Sequence, residues 1–391
     1  MQDVVSRGRR PAFIRKVRSG DVYPEAFTVC PGIHLSHSAE TLCQQGLSDS
    51  LVKSWGPIFE LWEGYAADQE IRFKGSSGGV MSALALYCLE KGNIAGVLHV
   101  AADEQKPHLN KTIFSETKES ILSATGSRYS PASPCEHLKQ IDNANAPCVF
   151  MGKPCDVAAV KNLTDIQTGW SKKIALSIAC FCAGTPSTEG TLEMLAKMGV
   201  EDTATLLSLR YRGCGWPGKT RAEQKKGQNS ENKFSELDYH ESWGEILQKH
   251  RQWRCYICPD HTGEFADISV GDPWYRNVTE SDSGRSLILI RTEKGRAVLQ
   301  RAIADGYLIA EKRNEEVLSA SQFNLEKARA RLWGQLVALK ICRVPYPNYS
   351  GFSLYHCWRH NLTFTEKVRS ILGTVKRVFV KKLREKCKTS Q

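Results

Sequence analysis

The 391-residue sequence predicts an α/β fold with some α+β character: a mixed, largely parallel sheet flanked by helices. Three observations predict it. Apolar runs of strand length recur at 148–151, 174–182 and 265–270, each closing on a turn rich in glycine or proline. The first two turns lead directly into helical patterns, the strand-then-helix order that builds parallel sheets. Cysteines stand just past those strands, at the carboxyl ends where open α/β sheets bind their ligands.

Residues 1–70 read as an irregular N-terminal segment with Trp55, Phe59, Trp62 and Tyr65 as packing anchors. A core domain is expected over 71–310. It opens with Gly75-Ser76-Ser77-Gly78-Gly79, then an amphipathic helix through Leu89 and a strand over 94–100. A Gly/Ser loop at a helix start offers free backbone N–H groups and a positive dipole end to a phosphate. It matches neither GxGxxG nor a P-loop, so by itself a plain helix cap is the simpler reading. Thr125-Gly126-Ser127-Arg128-Tyr129 forms a second loop, suited equally to a phosphate or isoalloxazine edge and to a surface turn. Residues 219–236 are polar and turn-rich and read as a mobile excursion. From 286 to 310 the pattern returns to strand, helix (294–304) and strand, closing the core. Residues 311–360 form a C-terminal helical region, helical over 316–341 and irregular over 345–355.

The chemistry centres on 255–275. Cys255 and Cys258 form a C-x-x-C in a loop punctuated by Pro259, Asp260 and Gly263. In a reducing compartment that spacing indicates metal or redox chemistry before a structural disulfide. Two ligands leave a site open, and two strand-end cysteines complete it. Cys155 follows the Gly152-Lys153-Pro154 turn with a helix starting near Asp156; Cys182 precedes a turn at 183–186, with Ser187 or Thr188 placed to cap a helix through Met198. Four thiolates fit a 4Fe-4S cluster or a structural zinc. Ordinary buried thiols are the alternative for Cys155 and Cys182. A single short pair, where structural zinc usually has two, tilts the choice toward iron–sulfur.

Six collinear stretches carry a family resemblance: FKGSSGGVMSALALYCLEKGNIAGVLHV (73–100), ATGSRYSPAS (124–133), FMGKPCDVAAV (150–160), ACFCAGTPS (179–187), RYRGCGWPG (210–218) and CYICPDHTGEFADISVGD (255–272). Together they resemble the coenzyme F420 hydrogenase/dehydrogenase beta-subunit family of iron–sulfur flavoproteins. The resemblance implies FAD beside a 4Fe-4S cluster, with Cys155, Cys182, Cys255 and Cys258 as cluster ligands. It makes Ser76, Ser77, Gly78, Gly79, Thr125, Gly126, Ser127 and Arg128 flavin-binding candidates. Lys153 would stabilise the anionic reduced ring, although a solvated lysine is the plainer alternative. The implied activity is oxidoreduction: single electrons from a ferredoxin-like donor through the cluster, and a hydride exchanged with a small organic substrate through FAD. Arg210, Arg212 and Trp216 suit an anionic or sugar-like substrate, and equally a packed loop.

The departures from the family pattern are specific. Only Cys30 and Cys43 stand where many members carry a ferredoxin-like segment, too few for a second cluster. Cys214 occupies a position the family does not require to be cysteine. The wording of 210–218 and 268–274 resembles a bacterial branch linked to surface polysaccharides, and nothing identifies coenzyme F420 as the substrate. A zinc-stapled scaffold or partner subunit in polysaccharide synthesis is the alternative function.

Composition sets the remaining bounds. Hydrophobic residues make up 41 % and no apolar run reaches bilayer-spanning length. Fourteen cysteines without an export signal imply a reducing, cytoplasmic setting. The net charge is +11, but residues 361–391 alone carry nine Lys/Arg against two Glu, a local +7. Nucleic acid is therefore not an expected partner. Val368, Ile371, Leu372, Val375, Phe379 and Leu383 recur at helical spacing within 363–388, predicting a basic amphipathic tail that lies on a membrane surface or packs on the protein.

Overall fold

The computed structural model describes residues 1–11, 24–225, 231–278 and 282–385. Eleven strands build the two sheets that frame the site. In chain order they are β1 (Glu60–Ala66), β2 (Val97–Ala102), β3 (Asn110–Ser115), β4 (Cys148–Gly152), β5 (Ile174–Cys180), β6 (Leu206–Arg210), β7 (Thr220–Gln224), β8 (Lys233–Leu237), β9 (Ile268–Gly271), β10 (Ser286–Ile290) and β11 (Leu308–Lys312). The main sheet runs β11-β1-β10-β9-β5-β4-β2-β3. Its four central strands, β9, β5, β4 and β2, are parallel, with antiparallel strands added on both sides. The sheet begins at Glu60, so part of the expected N-terminal segment belongs to the core.

The parallel strands are mostly apolar because helices cover both faces, with His99, Ser177 and Ser269 as buried polar exceptions. Alternate residues point to opposite sides. Val149, Leu176 and Ile178 meet α1 (Val80–Lys91), while Cys148, Phe150 and Ala179 pack with Val157 and Val160 of α2 (Pro154–Ile166). Helix α1 is buried from Ala83 through Cys88 without interruption, so it is a core helix and not the amphipathic one its sequence predicts. After α3 (Thr188–Lys197), strands β6, β7 and β8 form a separate antiparallel sheet. The polar stretch 219–236 therefore supplies two strands; its residues 226–230 lie outside the described residues.

Helix α4 (Glu293–Ala304) crosses between β10 and β11, and α5 (Glu316–Ile341) and α6 (Leu354–His360) follow. The last helix, α7 (Phe364–Val380), opens with a reciprocal cap: Glu366 N–H donates to Thr363 Oγ1 at 3.3 Å and Thr363 N–H to Glu366 Oε2 at 2.9 Å. Its buried positions are Ser370, Thr374 and Val378, small enough to let α7 lie close on α5. The expected tail stripe divides. Val375 and Leu383 pack partly against the core, while Val368, Leu372 and Phe379 face outward. Lys386 and Lys388 lie outside the described residues. No helix among the described residues is long and apolar enough to cross a membrane.

Candidate functional site

The carboxyl ends of β4, β5 and β9 open onto two neighbouring cavities. The smaller, about 160 Å³, is lined by Cys155, Cys182, Cys255 and Cys258 together. The fold thus performs the convergence that linear spacing cannot show. Pro154 takes the first position of α2, where its missing N–H leaves no helix bond unmade, and Cys155 sits in that first turn with Lys153 as N-cap. Cys182 lies two residues past β5. Cys255 ends a helical turn at Trp253–Tyr256, and Cys258 follows in the loop.

The backbone between Cys182 and that turn is tightly constrained. Gly184 has φ +126°, and an added Cβ there would crowd the Arg251 side chain and Cys255 Cβ. Thr185 N–H donates to Cys255 Sγ at 3.3 Å, while Cys182 N–H donates to the His261 carbonyl at 2.9 Å. Burial pushes the Cys155 thiol up to about 12, with Asp156 and Cys255 adding to the shift. Cys182 and Cys258 are raised first by the same cause, and the neighbouring cysteines raise them further. Among the described residues, no three His, Cys, Asp or Glu side chains are grouped tightly enough to hold one metal ion. The thiols surround a space instead of meeting at a point. Arg254 also lines this cavity, and its Nη1 is buried with no hydrogen-bond partner.

The larger cavity, about 320 Å³, has the Ser76, Ser77 and Gly79 loop and the N-terminal turn of α1 on one side, with Thr125, Gly126, Ser127 and Arg128 beside them. Ser127 N–H donates to Ser76 Oγ at 2.5 Å, tying the two predicted loops together. Gly78 is set back from the cavity. An added Cβ would meet the Gly64 carbonyl oxygen at 2.7 Å, and at Gly79 (φ +73°) the Ile71 carbonyl oxygen at 2.6 Å. Protein backbone therefore requires glycine at both positions. Arg128 donates to Asn110 Oδ1 at 2.8 Å and to the carbonyls of Leu209, Pro107 and Leu109 at 2.5, 2.6 and 3.2 Å. It shapes the wall and lends charge, with its guanidinium committed to the protein.

Lys153, Asp156 and Cys182 line both cavities. Lys153 Nζ pairs with Asp156 Oδ2 at 2.5 Å. Burial opposes its charge, but Asp156 and the thiols of Cys155 and Cys182 hold its pKa above the usual lysine range.

The substrate candidates of the 210–218 loop bond within the protein, as the packed-loop alternative has it. Arg212 is 2 % exposed and makes a bidentate pair with Asp272, and the Trp216 indole donates to the same carboxylate. Arg210 Nη1 donates to Cys214 Sγ at 3.1 Å. Only Arg212 of the three reaches the cavity lining. Beside Tyr129 of the second loop, the cavity is lined by three aromatic residues that sequence reasoning missed: Tyr239, Trp243 and Trp274. Tyr239 stacks on Trp274 at 5.2 Å between ring centres, and Trp243 lies in a π-helical segment, His240–Ile246. Such widened turns are frequent at functional sites, and no simple sequence period announces one. His99, also missed, lines the cavity from β2 with its Nε2 on Ser115 Oγ at 2.8 Å, and burial lowers its pKa to about 4.

Comparison with known proteins places this arrangement. The N-terminal family of coenzyme F420 hydrogenase/dehydrogenase beta subunits matches residues 61–139, and the C-terminal family matches 147–316. The chain is 30 % identical to coenzyme F420 hydrogenase subunit beta of Methanococcus voltae, over 62 % of this chain and 80 % of that one. It is 26 % identical to an F420-dependent formate dehydrogenase 1 subunit beta of Methanococcus maripaludis, over 64 % and 60 %. In fold it is similar to a chain of the F420-reducing [NiFe] hydrogenase complex of Methanosarcina barkeri, with TM-score 0.56 and 23 % identity over 73 % of this chain and 93 % of that one. The matched regions contain all four cysteines and both cavity loops. The chain belongs to the coenzyme F420 hydrogenase/dehydrogenase beta-subunit family, a family of oxidoreductase subunits.

Proposed function

We propose that the chain is an iron–sulfur flavoprotein oxidoreductase, holding a 4Fe-4S cluster in the four-thiol cavity and FAD in the larger one. The observation that carries the reading is the shared wall: Cys182, Lys153 and Asp156 border both cavities, so the two redox groups would lie within a side chain of each other.

The residues fit both groups. A lone zinc ion needs four sulfurs about 2.3 Å from one point. The thiols here surround a cavity, the arrangement a polynuclear cluster fills. The unpartnered Arg254 Nη1 faces a site whose thiolate ligands would be anionic. On the other side, the tied Ser76 and Ser127 loops and the N-terminus of α1 suit a pyrophosphate. The aromatic wall suits a planar ring system. When bound, the cofactors supply the exchange between one-electron and two-electron steps. The protein orients them and places the Lys153 ammonium between them. His99, held neutral by burial, is available at the cavity wall as a hydrogen-bonding group without charge.

The implied partners are a ferredoxin-like one-electron donor and a small organic substrate meeting the aromatic side of the larger cavity. An anionic membrane surface would meet a different face of the molecule, the outer side of α7.

Anaerobic purification tests the reading directly. The expected protein is yellow-brown, bleaches with dithionite, and carries about four iron and four sulfide per chain with one flavin, as one cluster and one FAD require. A colourless protein with stoichiometric zinc would instead support the scaffold role in polysaccharide synthesis.

A further inference from the structure

The outward face of α7 is apolar where a solvent-facing helix is normally polar. Phe364 is 79 % exposed, Leu372 61 % and Phe379 58 %, and Val368 stands between the first two at the same four-residue spacing. At 100° per residue these four side chains fall within one stripe of about 80°. They are not spare core residues. Another side of α7 is already bound to the protein: Trp358 Nε1 donates to Ser370 Oγ at 3.1 Å, Thr374 is fully buried, and Gly334 of α5 has no room for a Cβ against Ser370.

Cations border the stripe. Arg369 and Lys376 are exposed on its flank, and Lys381, Lys382 and Arg384 are exposed just past the helix. Of the two acids in 361–385, Glu366 is occupied by Lys327 and its own cap, and Glu385 lies 3.9 Å from Lys382 in an exposed pair. Arg384 Nε donates to the Cys342 carbonyl at 3.1 Å, which anchors this basic end beside Ile341, itself 67 % exposed. Helix α7 also lies beyond residue 316, where the family match ends.

We propose that α7 is a membrane-surface anchor: Phe364, Val368, Leu372 and Phe379 enter the interfacial region of a bilayer, and the flanking Arg/Lys residues bind anionic lipid headgroups. A protein groove would fit the apolar stripe alone. Its combination with flanking cations that have few acidic partners matches an anionic lipid surface, where apolar insertion and charge attraction act together. The attachment is independent of the flavin and cluster assignment.

Flotation of the full chain with vesicles tests it. Wild type should float with phosphatidylcholine vesicles containing phosphatidylserine at low salt, and not with phosphatidylcholine alone. The exposed-site variant Leu372→Glu/Phe379→Glu should remain folded by circular dichroism and stay at the bottom of the gradient. Arg369→Gln/Lys376→Gln should lower the partition coefficient about 30-fold, from two basic residues at the lipid surface. Failure of wild type to float with the anionic vesicles, or flotation unchanged in the folded Leu372→Glu/Phe379→Glu variant, would overturn the proposal. Binding to an acidic protein without vesicle binding would equally overturn it.

Discussion

The Arg212 guanidinium forks onto the Asp272 carboxylate at 2.9 and 2.7 Å, and the Trp216 indole N–H reaches the same carboxylate at 2.8 Å. Asp272 follows β9 directly, so this pair fixes the 210–218 loop against the end of a central strand. Asp272→Asn would leave Arg212 buried without its counter-charge. The expected loss is about 3–5 kcal/mol in denaturant unfolding. Arg212→Lys, with Asp272 intact, should also destabilise, because an ammonium cannot span both carboxylate oxygens. An unchanged unfolding midpoint in Asp272→Asn would show that the pair is not what holds the loop.

Single replacement of Cys155, Cys182, Cys255 or Cys258 by Ser should remove most iron, since a hydroxyl is a poor substitute for thiolate. Cys214→Ser should keep it, because Cys214 stands with Arg210 and lines neither cavity. Cys180→Ser is a closer control, since Cys180 lines only the larger cavity. Iron and acid-labile sulfide per chain decide the matter; equal losses in Cys214→Ser and Cys155→Ser would mean the ligand set is different.

The two loop positions should separate folding from flavin binding. Gly79→Val combines a positive φ with a collision against the Ile71 carbonyl, so it should yield little folded protein. Ser76→Asp keeps an acceptor for the Ser127 N–H but adds a negative charge. It should fold, retain iron, and weaken flavin binding roughly tenfold or more through repulsion of the pyrophosphate. Full flavin occupancy at low flavin concentration in Ser76→Asp would move the phosphate site elsewhere.

Acid should destabilise the chain through Glu264. Burial raises its pKa, but Arg329 and His37, whose Nε2 lies 2.8 Å from Oε2, hold it at about 2. A folded pKa below the unfolded value of about 4.3 gives stability that is present above pH 4.3 and lost as pH falls toward 2. The integrated effect is about 3 kcal/mol. Glu264→Gln should begin less stable and show a flatter decline across that window in pH-dependent unfolding. A decline as steep as wild type would assign the acid sensitivity to other carboxylates.

The sequence alone determined the strand-then-helix units, because apolar runs and Gly/Pro turns are local signals. For the same reason it placed Cys155 and Cys182 at strand ends and Cys255 and Cys258 in one loop. It also marked the basic, apolar C-terminal helix, whose period lies within a single element. Only the tertiary structure decided that the four thiols line one cavity, since loop lengths do not restrict what a sheet brings together. Tertiary packing likewise committed the Arg128 and Arg212 guanidiniums and the Trp216 indole to protein partners, with Arg128 and Arg212 still lining the larger cavity. A buried guanidinium or indole must satisfy its N–H groups, and carbonyls or a carboxylate from distant strands supplied the partners. The aromatic wall was hidden because Tyr239, as N-cap, and Trp243 share one π-helical segment while Tyr129 and Trp274 come from distant parts of the chain, so no single period unites the four. For α7 the apolar period predicts one stripe of six residues. Packing against α5 divided it, burying the side that small residues allow to approach and leaving Leu372 and Phe379 in solvent.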